Sequence, residues 1–288
     1  MRHFVLIIAF LLTLTGVTAE EPPPVIRRYR QQAIQLVTAG GGWLGTRDSG
    51  LSQRHYEVTL KTGVPLGSFS RILGLTPSFR TDFLQPPEGA ALDIPREVHE
   101  AGLSIFYRSE LNDRWSAMGI VRPSFRGDFS TSDNAVRVFG LGLLTWQAIP
   151  DELSLSFGAV FLDRADLPLL PAIGLRWQPT TDVQLDLQFP KSRLQWRVAR
   201  PESDSELWVY ATAEIGGNTW AVTRANGSTD EMSLRDIRMT VGMEYVMDGG
   251  SGWFVETGWA FRRRLEYEQT QSEVSFGDAL LIRAGLRY

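Results

Sequence analysis

The 288-residue sequence has no cysteine, only two lysines and only three histidines. Without cysteine the chain has no disulfide framework, no thiolate metal site and no acceptor for a lipoprotein anchor. A histidine-based metal centre would need carboxylates from distant segments of the chain. No internal stretch reaches the roughly 18 consecutive apolar residues of a membrane-spanning helix, which excludes a helical membrane protein.

A basic excess is also missing, since 29 basic residues face 33 acidic ones and the formal net charge is −4. Nucleic-acid binding usually requires a basic surface, so no nucleic-acid partner is expected. With 43% hydrophobic and 22% charged residues, the chain has enough apolar surface to fold.

The N-terminus has the parts of a secretory signal peptide. A basic start precedes the apolar run 4–12, and the small residue Ala19 precedes a polar, proline-rich stretch. We therefore expect a signal peptide over residues 1–19 that is cleaved after Ala19, and a periplasmic segment over 20–31.

Hydrophobicity alternates with a period of two along most of the remaining chain. Apolar residues occupy the odd positions of 183–189, 207–215 and 237–245, and polar residues occupy most of the even ones. This alternation is typical of strands with one apolar and one polar face. The sequence thus predicts an all-β chain.

Short turns and longer polar connections alternate along residues 32–288. The short turns include 216–218, and the alternation is unbroken only if 183–199 is one strand interrupted near Pro190. It then predicts a single-chain antiparallel transmembrane β-barrel of about 14 strands, with 12 as the alternative. Short periplasmic turns and longer extracellular loops are typical of outer-membrane barrels.

Aromatic residues at the predicted strand ends favour the same architecture. Tryptophans flank the short turns, as in the aromatic girdle of a membrane barrel: Trp115, Trp146, Trp177, Trp220 and Trp253. The final strand ends on Gly285, Leu286 and Tyr288, and this pattern resembles the C-terminal signal that the barrel-assembly machinery reads. That machinery, the lipid bilayer and lipopolysaccharide are therefore the expected partners.

Several short motifs resemble those of a little-characterised family of bacterial outer-membrane barrels of unknown function. The motifs are Phe161–Arg164, Phe189–Arg193, Gly216–Trp220, Arg235–Arg238 and Leu281–Leu286. The resemblance covers about residues 32–288 and implies a location in the outer membrane of a Gram-negative-type bacterium. It implies no activity.

The polar face of the strands supplies the candidate functional residues. If the alternation holds, the charged side chains that line the lumen are Glu57, Lys61, Asp186, Arg193, Arg197, Glu214, Arg238, Glu244, Glu256, Arg262 and Arg283. These charges either pair across strands and stiffen the wall, or they form a basic ladder facing an acidic one that orients polar solutes. The strand register decides between these interpretations, and the sequence pattern does not contain it.

No cofactor, metal or catalytic site is predicted. The stretch Gly40–Gly45 fits a dinucleotide fingerprint formally, but a polar loop follows where a helix is required. The best enzymatic constellation is Asp82, Asp93 and His99, around the second long loop.

The expected function is a narrow, porin-like passage for small polar solutes. The first alternative is a non-conducting structural or surface-interaction barrel, and the second is an enzyme at the outer rim.

Overall fold

The computed structural model describes residues 26–28, 30, 32–46, 50–87, 93–161, 169–269 and 272–288. The predicted signal peptide and its cleavage site after Ala19 lie outside these residues. All regular structure in the described ranges is β-strand. Within them, no helix has the length and apolar character needed to cross a membrane.

Fourteen strands form one closed antiparallel barrel, in which β1 pairs with β14 as well as with β2. The strands are β1 Ile34–Gly45, β2 Ser52–Thr62, β3 Arg71–Gln85, β4 Glu97–Glu110, β5 Trp115–Gly127, β6 Val136–Ile149, β7 Leu153–Phe161, β8 Leu169–Thr180, β9 Val183–Gln188, β10 Lys191–Ala199, β11 Ser205–Thr223, β12 Thr229–Met247, β13 Gly252–Tyr267 and β14 Ala279–Arg287. Two short strands, Val64–Pro65 and Ser272–Phe276, pair with β3 and β13. The predicted all-β barrel of 14 strands is confirmed.

The alternation of the sequence separates an apolar outer face from an inner face. On β11 and β12, Val209 and Val241 are exposed on the outside, whereas Tyr210 and Thr240 are buried on the inside. Aromatic rings circle the outside near the rim that carries the short turns. Trp115 stacks on Trp146 with ring centroids 6.3 Å apart, and Tyr245 stacks on Trp253 at 6.2 Å.

Two strand boundaries differ from the prediction, and the two errors cancel in the strand count. Residues 183–199 form a hairpin of two strands that reverses at Phe189–Pro190. The predicted turn at 216–218 is instead the interior of the 19-residue strand β11. Trp220 therefore belongs to no girdle, and it is buried to 1% exposure near the loop rim.

The stretch 216–218 bends β11 rather than ending it. Gly217 has φ of +108°, and a Cβ there would lie 2.0 Å from the carbonyl oxygen of Leu234 on β12. Only glycine occupies such a position without strain. At the same level β13 has a β-bulge, where Arg262 has φ of +51°. Above this level the hairpin of β11 and β12 turns inward.

The inward-bent hairpin, residues 218–234, reaches across the barrel to β5, and we refer to it as the plug. Ala221 pairs with Gly127 of β5 in a parallel bridge, and the N–H of Asp128 donates to the carbonyl oxygen of Ala221 at 3.2 Å. The N–H of Thr223 donates to Asp128 Oδ2 at 2.8 Å.

The plug fills the part of the loop rim that lies on one side of the bridge, from β11 through β14 and β1 to β5. Its apolar side chains join those of the surrounding strands in one buried cluster: Leu51, Leu84, Ile94, Val98, Trp220, Val222, Met232, Leu234, Leu265 and Tyr267. The bridge to β5 leaves only nine strands around this cluster. A ring of about eight strands is just wide enough for side chains to fill it, so the upper barrel is a packed core.

Replacing Gly217 by alanine tests the bend. Gly217→Ala is expected to destabilise the barrel by about 1–3 kcal/mol, because a Cβ requires a strained φ and meets the backbone of β12. Thermal unfolding, followed by loss of the compact band of unboiled protein on a gel, measures the change. The matched control is Gly119→Ala, whose Cβ meets nothing within 4 Å. Equal losses in the two variants would contradict the role of Gly217.

Candidate functional site: the barrel lumen

A network of ion pairs covers one side of the lumen. Arg283 of β14 lies 2.7 Å from Glu214 of β11 and also contacts Glu256 of β13. Two more cations approach the carboxylate of Glu214: Lys191 at 3.1 Å and Arg238 at 3.7 Å. Glu214 thus meets three cations.

A second cluster of charges surrounds Glu244, which is 1% exposed. Three arginines contact its carboxylate: Arg193 at 2.7 Å, Arg287 at 3.0 Å and Arg28 at 3.3 Å. Arg193 also lies over the ring of Tyr210, 3.8 Å from its centroid. With three positive charges around one negative charge, this part of the wall is cationic.

A third group of charges holds the plug against the wall. The amide of Asn218 donates to Glu100 at 2.7 Å, and it accepts from Arg126 at 2.8 Å. Arg122 lies 2.7 Å from the same carboxylate of Glu100. Arg137 of β6 pairs with Glu231 in the plug. Opening the plug would break these contacts.

The other sequence-predicted residues lie along the same inner face. Glu57 is 4.0 Å from Arg80, Asp186 is 2.6 Å from Arg176, and Arg197 contacts Asp182 and Glu206. Lys61 is exposed. Pairing of opposite charges therefore dominates the wall, as in the first of the two sequence interpretations.

The placement of Arg262 needs correction. The bulge in β13 sets both Arg262 and Arg263 opposite a single residue of β12. Arg262 is exposed, whereas Arg263 is buried and donates from Nη2 to the carbonyl oxygen of Leu51 at 2.7 Å. The buried arginine at this level is therefore Arg263, because a bulge shifts the alternation by one residue.

The glycines of β1 leave room for the charged network. A Cβ on Gly42 would lie 2.7 Å from Cγ of Arg283 and 2.4 Å from the ring of His55. The strand runs without interruption through Gly40–Gly45. These glycines thus allow close approach of side chains.

Part of the opposite side of the lumen is apolar, which the sequence alone did not predict. Five residues that are cross-strand neighbours, here called the apolar row, run along the inner face of β4 to β8: Phe106, Ile120, Leu141, Val160 and Leu170. Met118 and Leu143 form the next row. The signal was the near-absence of polar residues in 117–121 and 138–144, which marks strands that are apolar on both faces.

The predicted enzymatic constellation does not come together. Asp82 points inward and is held by Arg80 and by Gln53, whose Nε2 is 2.8 Å away. His99 lies on the outer face and stacks on Phe129 with centroids 4.5 Å apart. Asp93 accepts a hydrogen bond from Arg224 of the plug at 2.8 Å, and this bond lowers the pKa of Asp93.

The C-terminal residues complete the ring of strands. Tyr288 and Val37 exchange two backbone hydrogen bonds of 2.8 Å. Leu286 and the ring of Tyr288 are exposed on the outside, and Gly285 pairs with Gly40 of β1.

Comparison with known proteins gives a family but no activity. The sequence model of a family described as a domain of unknown function, DUF6268, matches residues 89–288. A search of curated proteins finds no match.

Among solved structures the chain is similar to several barrels. The TodX monoaromatic hydrocarbon channel (deltaS2 mutant) is 11% identical, with a TM-score of 0.46 over 88% of each chain. The NanC porin is 13% identical, with a TM-score of 0.38 over 87% of this chain and 98% of its own. The translocator domain of the autotransporter NalP from Neisseria meningitidis is 12% identical, with a TM-score of 0.36 over 100% and 94%. These scores assign no activity to the chain.

Removing Arg283 tests how much the barrel depends on the charged network. Arg283→Met is expected to destabilise the barrel by about 3–5 kcal/mol, because it leaves buried carboxylates with fewer cations. The control Arg108→Met removes an arginine that is 48% exposed and 3.8 Å from an equally exposed Glu110, and it should cost less than about 1 kcal/mol. Urea unfolding in detergent compares the two. Similar losses would show that the network is not a special source of stability.

Proposed function

Because the chain belongs to the family of the domain of unknown function DUF6268, whose description assigns no activity, we propose its function from the barrel itself. The protein resides in the outer membrane of a Gram-negative-type bacterium and provides a narrow passage for small solutes. The lumen is that passage, and the plug is its gate.

The apolar outer surface supports the membrane location. Large hydrophobic side chains such as Ile105, Val121, Phe157 and Val241 are exposed around the barrel. A surface of this kind is unfavourable in water and typical of a membrane interface. Barrels of the outer membrane carry an apolar band about 25 Å tall with aromatic girdles, and the stacked rings near the turn rim fit one such girdle.

One observation supports the passage: inward side chains near the turn rim remain exposed, whereas those around the plug are buried. Inward-facing Arg108 and Arg176 keep 48% and 57% of their side-chain surface exposed. Around the plug, by contrast, the side chains form a buried cluster. A solute that enters from the turn rim meets the charged wall and the apolar row, and the ion-paired wall suits polar groups of small solutes.

The C-terminus is proposed to act in assembly. Tyr288 exposes its ring at the point where β14 meets β1, which is accessible to the barrel-assembly machinery while the ring of strands closes.

Arginine substitutions at adjacent positions test the membrane location. Ile105 faces outward and Ser104 faces inward on β4. Ile105→Arg is expected to lower barrel stability by about 2–4 kcal/mol, because it places a charge in the middle of the hydrocarbon. Ser104→Arg meets the hydrated lumen and should have a much smaller effect. Unfolding in lipid vesicles and fractionation of the cell envelope check both points. Recovery of the wild type in the soluble periplasmic fraction would refute the location.

A disulfide that fixes the plug tests the passage. The hydroxyls of Ser130 and Thr223 are 2.6 Å apart, so Ser130→Cys with Thr223→Cys links the plug to the loop after β5 in a chain that has no other cysteine. In planar bilayers the reduced double variant should conduct and the oxidised form should not. Ser130→Cys alone should not respond to oxidant.

Absence of conductance in both redox states would favour the alternative function, a non-conducting structural barrel. Equal conductance in both states would show that the plug is no gate.

A further inference from the structure

The barrel wall is lower on one side, because two neighbouring strands are short. Strands β9 and β10 have only six and nine residues, and their highest pairs are Gly174 with Gln188 and Lys191 with Glu214. Their neighbours β8 and β11 continue upward beyond them. The gap, here called the notch, has Leu169–Ile173 of β8 and Ile215–Thr219 of β11 as its sides and Phe189–Pro190 as its floor.

The floor of the notch lies within the apolar band. Val183 pairs with Trp196 near the turn-rim girdle, and Phe189 lies six positions further along the chain. At about 3.3 Å per residue and a tilt of about 40°, Phe189 is roughly 15 Å above the girdle, below the top of a band about 25 Å tall. Strand edges without a pairing strand are not tolerated against lipid tails, but they occur where they line a cavity.

The rim of the notch is apolar. Five large side chains around it are exposed: Leu169, Ile173, Leu187, Phe189 and Ile215. On β8 the next inward residue is Leu170, which is the last member of the apolar row. An apolar surface therefore continues from the outer wall, through the notch, to Phe106 on the far side of the lumen.

The plug does not cover the apolar row. None of the row's residues belongs to the buried cluster of the plug, and Phe106, Ile120, Leu141 and Leu170 remain partly exposed although they point inward. Apart from Val160, which is 5% exposed, the row is thus accessible to a ligand with the plug in place.

We propose that the notch is a lateral portal through which small apolar or amphipathic molecules pass between the outer leaflet and the apolar row of the lumen. This inference rests on the proposed function and names its solute class and route. An apolar body that moves from lipid tails to the row exchanges one apolar environment for another, so it meets no large hydration barrier. Its polar end, if it has one, faces the charged wall.

Photolabelling tests the portal directly. The probe is decanoic acid with a terminal diazirine, added to outer-membrane vesicles that contain the full-length protein, with labelled residues mapped by mass spectrometry. We expect labels on the apolar row as well as on the lipid-facing surface. The oxidised Ser130→Cys, Thr223→Cys variant should keep the labels on the row, because the route does not pass the plug.

A matched pair of variants separates the portal from general lipid contact. Ala172 faces inward beside Leu170, between the notch and the rest of the row, and Ala172→Trp should reduce labelling of Ile120 and Leu141 about tenfold, equivalent to about 1.4 kcal/mol of lost binding. Ala159→Trp adds the same ring on the outer face of β7 and should leave that labelling unchanged. Retention of the compact unboiled band shows that both variants fold.

The proposal is overturned if labels occur only on outward residues, or if the two tryptophan variants behave alike. It is also overturned if the oxidised plug abolishes labelling of the row. These outcomes are distinct from failure of the proposed passage: a barrel that conducts but takes no label on the row keeps its passage and loses its portal.

Discussion

The upper part of the barrel depends on a single bridge between two strands that are far apart in the sheet. This bridge pairs Ala221 of β11 with Gly127 of β5. Below the bridge the wall has 14 strands, which enclose a lumen. Above it nine strands surround a cluster of buried apolar side chains. The difference follows from circumference, because a ring near eight strands leaves room only for side chains. The bridge depends in turn on Gly217, whose backbone bends β11 inward.

The same bend explains the asymmetry of the wall. Once β11 leaves its place in the cylinder, β10 has no partner above Glu214. Strands β9 and β10 consequently end early, and the notch is the space that the plug leaves behind. Closure of the loop rim and opening of the wall are thus two consequences of one change in the path of the chain.

The lumen joins two kinds of surface. Its charged wall is self-neutralising around Glu214, Glu256 and Arg283, but cationic around Glu244. Buried Glu214 and Glu244 are stable there because each meets three cations, and Glu256 pairs with Arg283 and accepts a hydrogen bond from the hydroxyl of Tyr210. On the opposite wall, the apolar row offers dispersion and hydrophobic contacts. A ligand with an apolar body and a polar end matches both walls, whereas a simple ion matches only one.

The sequence by itself determined the architecture. Three features of the sequence predict it: the period-two alternation, the difference in turn length between the two rims, and the aromatic residues at strand ends. Each depends only on neighbouring residues or on the two faces of a strand, so each can be recognised without coordinates. They predicted the barrel, but the count of 14 strands was right only because two boundary errors cancel. Only the tertiary structure decided what fills the barrel. Strand register is set by long-range pairing. It decides whether Gly216–Asn218 is a turn or a bend, and it decides which of Arg262 and Arg263 is buried. The plug, the notch and the apolar row exist because strands that are distant in sequence contact each other. Local sequence patterns do not predict such contacts.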